Sequence, residues 1–146
     1  MFAATDVQQA DAVASQQGGT VLFAPHPFAN LGQVVVLADP QGAVFSLLAS
    51  GSGDPADTLA APGQWIWSSL ITSAPEAGAA FYKSLLGYQV LALPDAQDTH
   101  HLILASEDYA RASVNPVPTA WGSAHPRWIS YVRVDDVQAM AARVAA

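Results

Sequence analysis

Four histidines, twelve acidic residues and no cysteine are what this 146-residue chain offers for metal or nucleophile chemistry. His100 and His101 are adjacent on a predicted strand and point to opposite faces, so they cannot enter one site together. No H-x-H or H-E-x-x-H spacing supports them. His26 and His125 each precede a proline and read as exposed turn residues. Gly51-Ser52-Gly53 lacks the strand-to-helix elbow of a serine nucleophile. Gly18-Gly19 ends a helix rather than cradling a phosphate. Asp135-Asp136 could be a carboxylate pair, but its place at a helix start suits capping and the helix dipole. No catalytic residue is assigned.

Charge excludes further classes. Five basic residues against twelve acidic ones give a net charge of −7. One lysine and four scattered arginines cannot track a phosphate backbone, nor dock on an anionic bilayer. Neither a nucleic-acid nor a membrane partner is expected. No apolar run is long enough to span a bilayer, and the N-terminus lacks the pattern of a secretory signal. The absence of cysteine removes disulfides and thiolate sites and suits the cytoplasm. Abundant alanine with scarce lysine is the composition of a GC-rich bacterial genome.

The elements that must position any site follow from a repeat. Residues 3–14 (AATDVQQADAVA) align with 133–144 (RVDDVQAMAARV), Asp6-Val7-Gln8 falling on Asp136-Val137-Gln138 at an offset of 130. A third start lies at Thr72-Ser73-Ala74-Pro75-Glu76-Ala77, so the period is about 65 residues. Ser73 with Glu76, Thr5 with Gln8 and Asp135 with Gln138 have capping-box spacing. The middle helix places Ala77, Phe81 and Leu85 on one stripe and stops at Gly87. Strands are predicted at 20–24, 33–38 and 43–49, with turns at Pro25-His26-Pro27 and Asp39-Pro40-Gln41-Gly42. A second set is predicted at 88–93, 100–105 and 109–114, and another opening strand at 127–134. The unit is βαβββ. Residues 1–50 are one module with a truncated opening strand, 51–63 a linker, 64–116 a second module, and 117–146 a loop plus the opening strand and helix of a third. Such incomplete copies are expected of a piece of a longer protein. They leave strand edges that invite a homodimer through module pairing or swapping.

Three segments carry a family resemblance. Asp39-Pro40-Gln41-Gly42-Ala43-Val44-Phe45 matches the D-P-x-G entry to a last strand. Ala80-Phe81-Tyr82-Lys83 through Leu86-Gly87-Tyr88 matches a module helix, and Trp128 to Asp136 (WISYVRVDD) a first strand entering its helix. In this the chain resembles tandem proteins of the vicinal oxygen chelate superfamily: glyoxalases, bleomycin-resistance proteins and extradiol dioxygenases. The resemblance implies an α+β fold in which paired βαβββ modules form a curved mixed sheet with a concave cleft. It implies metal ligands on the first and last strands of each module. Here those positions fall on Trp67, Ile129 and Ser46, none a sound ligand for a divalent ion, and residues 109–114 offer no histidine and no acid within the strand.

No metal and no cofactor are therefore expected. By alternation Trp67, Ser69 and Ile71 share one strand face, as do Ile129, Tyr131 and Arg133. The resemblance turns both sets into the cleft, where Trp67, Ser69, Tyr131, Arg133 and Ser46 would bind a small, partly apolar molecule. Equally, Trp67 and Tyr131 could fill the sheet interface in place of the lost metal. Trp65, Trp121 and Trp128 are expected against helices or loops. The leading reading is a metal-free binding protein. The alternatives are a metal-dependent glyoxalase-like lyase or dioxygenase completed by other segments or chains, and a purely structural half of a tandem protein.

Overall fold

The computed structural model describes residues 1–53, 56–93, 101–107 and 109–145. The first module runs β1 (Phe2–Ala3), α1 (Val7–Gln16), β2 (Thr20–Phe28), β3 (Gly32–Ala38) and β4 (Val44–Ser50). Its sheet has the order β1-β4-β3-β2, with β1 parallel to β4 and the other pairs antiparallel. The second runs β5 (Trp65–Thr72), α2 (Pro75–Leu86), β6 (Gln89–Ala92), β7 (Leu102–Ser106) and β8 (Tyr109–Pro116). After a short 3-10 turn, β9 (Arg127–Val132) leads into α3 (Val137–Val144). The second sheet is ordered β6-β7-β8-β5-β9, so β9 joins the second module edge to edge, antiparallel to β5. The architecture is α+β, in two mixed sheets of four and five strands.

Three expectations are corrected. Pro25-His26-Pro27 is not a turn but lies inside β2, whose pairing slips between Val21 and Phe23 and again between Phe23 and His26. Because β2 is an edge strand, the missing proline donors cost it little. The reversal comes after Phe28 instead, where Leu31 N donates to Phe28 O and Gly32 has φ +142°. A Cβ at Gly32 would lie 2.0 Å from the Ala49 carbonyl oxygen, so only glycine fits.

The caps are also displaced. Asp6 rather than Thr5 caps α1, accepting from Gln8 N and Gln9 N, and Asp136 rather than Asp135 caps α3, accepting from Ala139 N. A short carboxylate next to the first turn reaches those donors directly. The α2 cap is Ala74 without a side-chain bond, and Thr72 Oγ1 accepts from Ala74 N in place of the Ser73 box. Finally, Ala77 faces solvent. The buried face of α2 is Gly78, Ala79, Phe81 and Tyr82, with Leu85 partly buried beside it, and the helix ends at left-handed Gly87 as expected.

The core is one cluster shared by both modules. Val7, Ala10 and Ala14 of α1 and Val35, Leu37, Phe45 and Leu47 of the first sheet join Phe81 and Tyr82 of α2 and Leu70, Leu104, Ala112 and Val114 of the second. At its centre the fully buried Tyr82 hydroxyl donates to Asp39 Oδ2 at 3.2 Å and accepts from Trp128 Nε1 at 2.9 Å. Asp39 Oδ1 accepts from Gln41 N and Ala43 N within the Asp39-Pro40-Gln41-Gly42 turn.

Burial lifts the Asp39 carboxyl above its ordinary value, against the bonds from Ala43 N, Tyr82 and Gln41 N. A folded value above the unfolded one gives stability that is full below the ordinary carboxylate value and lost as pH rises through the folded value. The unfolding free energy of the wild type relative to Asp39→Asn should therefore fall as pH rises through that window, read from urea midpoints. A pH-independent difference contradicts this. Tyr82→Phe leaves an indole N–H and a carboxylate oxygen without their partner and should cost about 2 kcal/mol in the same assay.

Candidate functional site

Both faces of β5 carry side chains that could meet a ligand, and they differ in kind. On one face Trp67, Ser69 and Ile71 stand beside Ser113 and Asn115 of β8 and Ile129 and Tyr131 of β9, with Trp67 paired to Tyr131 and Ser69 to Ser113 and Ile129. Ser113 Oγ is the hub. It accepts from Trp67 Nε1 at 3.1 Å and Asn115 Nδ2 at 3.1 Å, and shares a 2.7 Å bond with Ser69 Oγ. Ser69 and Ser113 are buried, while Tyr131 is exposed. Three of the five expected site residues, Trp67, Ser69 and Tyr131, thus come together.

Arg133 lies just past β9 and is engaged elsewhere. Its guanidinium donates to Ala60 O at 2.8 Å, and its backbone pairs with Gly63 and Gln64, pinning the end of the linker. Ser46 lies on β4, in the other sheet.

This face does not fit a divalent metal. At the positions that the resemblance makes ligands, this face carries the Trp67 indole and the Ile129 alkyl chain, with Ser113 and Asn115 on β8, and the third position, the Ser46 hydroxyl, lies on the other sheet. Among the described residues no group of three or more His, Asp or Glu side chains could hold an ion. His26 is in β2 with Nδ1 donating to Ala24 O, His125 is exposed, and His100 lies outside the described residues.

The opposite face of β5 builds a groove. Leu70 pairs with Trp128 and Ser68 with Ser130 across β9, and this is the side on which α2 packs. A slip in pairing between Trp65 and Trp67 turns Trp65 onto this side as well, where its Nε1 donates to Ser68 Oγ at 3.2 Å. There the second sheet meets β1 and β4 of the first: Phe2, Val44, Phe45 and Ser46 form the far wall. Between them lies a groove of about 410 Å³, within the range of small-molecule sites.

Its walls are mainly aromatic and aliphatic. Its polar side chains are the hydroxyls of Ser46, Ser68 and Ser130, the Tyr88 phenol, and Arg111. Ser46 and Ser130 make no side-chain hydrogen bond to another described residue. Arg111 donates from Nε to Ser106 Oγ and from a terminal nitrogen to Asp57 Oδ1, both at 2.7 Å, and lies 5.2 Å from the Tyr109 ring centre.

Of the five expected residues only Ser46 lines this groove. Trp65, Ser68, Trp128, Ser130 and Arg111 were missed. For β9 the signal was present, since Trp128 and Ser130 alternate with Ile129 and Tyr131. For Trp65 it was not, since strict alternation puts it beside Trp67. Trp128 does pack on a helix, α2, as expected, and exposed Trp121 stacks under Arg127 at 4.9 Å.

No family profile matches the sequence. The chain is 27% identical over 129 residues to the "Putative glyoxylase CFP32" of Mycobacterium tuberculosis, covering 88% of this chain and 49% of that protein. It is 31% identical over 86 residues to the anthracycline biosynthesis protein DauV of a Streptomyces species, covering 59% of this chain and 31% of that one. The chain therefore spans about half the length of the curated glyoxylases it matches. Among solved structures, the Mn(II)-bound glyoxalase from Novosphingobium aromaticivorans superposes with a TM-score of 0.61 at 21% identity, over 80% of this chain and 41% of that one.

The Ser113 hub gives a direct test of the first face. Ser113→Ala leaves the buried Ser69 hydroxyl and the Trp67 indole without their shared partner. It should lower stability by about 2 kcal/mol in urea unfolding. A loss within error of zero contradicts the network.

Proposed function

This chain belongs to the vicinal oxygen chelate, or glyoxalase-like, superfamily, and we propose that it binds a small, partly apolar molecule without a metal, in the cytoplasm. The observation that carries this reading is the groove between the two sheets, with aromatic walls and with Ser46 and Ser130 hydroxyls that have no hydrogen-bond partner among the described residues. The non-ligating residues at the family's metal positions favour it over the metal-dependent lyase or dioxygenase. The reaction class of the relatives named glyoxylases is not carried over, because among the described residues no donor set would hold the metal that polarises vicinal oxygens.

Titration with a panel of small aromatic compounds, read by tryptophan fluorescence, tests this. Two relatives are named for anthracycline biosynthesis, so the panel includes a planar multi-ring compound. Trp65→Ala removes one wall and should weaken binding about tenfold, or roughly 1.4 kcal/mol. Stoichiometric binding of nickel, zinc, iron(II) or manganese would replace this reading with the enzymatic one.

The homodimer is part of the same proposal. α3 turns Val137, Met140 and Val144 to solvent, and at the repeat offset of 130 these are the positions where α1 buries Val7, Ala10 and Ala14. We infer that a second copy covers this stripe. Light scattering at micromolar concentration should give twice 15.2 kDa; a monomer mass removes this part.

A further inference from the structure

We propose that the groove takes a planar aromatic acid, its ring against Trp65 and Trp128 and its carboxylate on Arg111 in the place now held by Asp57. This rests on the reading of the groove as a ligand site and names the chemistry it selects. Among the described residues lining it Arg111 is the only charged side chain, and the Met1 α-amino group is a second cationic group there. Its guanidinium is held in place by the Nε bond to Ser106 and by the Tyr109 ring, which leaves its terminal nitrogens to present to an anion.

Asp57 already demonstrates the fit, with a carboxylate oxygen 2.7 Å from Arg111. It comes from the linker, its side chain is half exposed, and an ion pair in contact with water is weak, so exchange for a ligand carboxylate costs little. The aromatic half of the ligand follows from the walls. Trp65 is 55% exposed, and the Trp128 and Phe2 rings meet edge-on at 5.0 Å, which leaves flat surface for another ring. With a net charge of −7 the chain has no general attraction for anions. A preference for an acid over its neutral isostere must therefore come from a local cation, and its loss in Arg111→Gln distinguishes this guanidinium from the Met1 amino group.

The test compares 2-naphthoic acid with 2-naphthamide on the full chain by calorimetry. The wild type should prefer the acid about fivefold, a charge-assisted bond replacing a neutral one. Asp57→Asn, on the exposed linker, should raise that ratio about threefold by removing the competitor, and Arg111→Gln should bring it to about one. Arg111→Lys, which keeps the charge, should restore part of the preference and controls for a folding defect.

Equal affinity for the two probes in the wild type and in Asp57→Asn overturns the assignment of the acid while leaving the groove a binding site. Binding of the acid that Trp65→Ala does not weaken places it elsewhere and also overturns the assignment. Failure of both probes to bind any of these proteins overturns the groove reading itself.

Discussion

A single phenolic hydroxyl holds three parts of this chain in register. Tyr82, on α2, is fully buried, and its oxygen sits between Asp39 of the β3–β4 turn and Trp128 of β9. The polarity of this relay is forced. An indole can only donate, so the tyrosine oxygen must accept from Trp128 and its proton must go to Asp39. Burial, and secondarily the nearby Asp39 charge, push the Tyr82 ionisation far above its ordinary value, so that proton stays in place. Asp39 in turn ties its own turn together through Gln41 N and Ala43 N, so the D-P-x-G segment shapes the hairpin and anchors the next module.

The groove depends on the same residues. Tyr82 lies edge-on to Phe45, Phe81 and Trp128 with ring centres 5.1–5.2 Å apart, and Phe2 lies 5.0 Å from Trp128. Such pairs contribute about 0.5–1.5 kcal/mol each beyond their buried area. Phe2, Phe45 and Trp128 are also groove walls, so the web that joins the modules presents part of its surface in the groove. In the proposed reading stability and binding are coupled: a ligand between these rings would tighten the contact between the two sheets.

Much of this was legible in residue order. The offset between Asp6-Val7-Gln8 and Asp136-Val137-Gln138 and the stop at Gly87 are local signals, and the second strand set lies near the predicted positions in the described residues. The prolines of β2 misled because nothing local marks a strand as an edge, and only edge position makes them tolerable. Alternation correctly grouped Trp67, Ser69 and Tyr131 on one face. Which face of β5 looks toward the first sheet is set by long-range packing of Tyr82 and Trp128, and the slip that separates Trp65 from Trp67 comes from pairing with β9. Neither has a periodic signature.

The two faces of β5 also differ in how their hydroxyls are used. On the Trp67 face the buried hydroxyls of Ser69 and Ser113 are consumed by one another and by Trp67 and Asn115, which leaves little for a ligand to take without breaking a bond. On the groove face Ser68 accepts from Trp65, but Ser46, which is half-buried, and Ser130, which is exposed, have no such partner among the described residues. A hydroxyl facing water carries no burial penalty, and a ligand that replaces that water with its own polar atom loses little. The same fold thus makes one face of the strand a closed structural network and the other a surface with bonding capacity to spare. That difference, more than the number of aromatic rings on either side, is what favours the groove as the proposed ligand site.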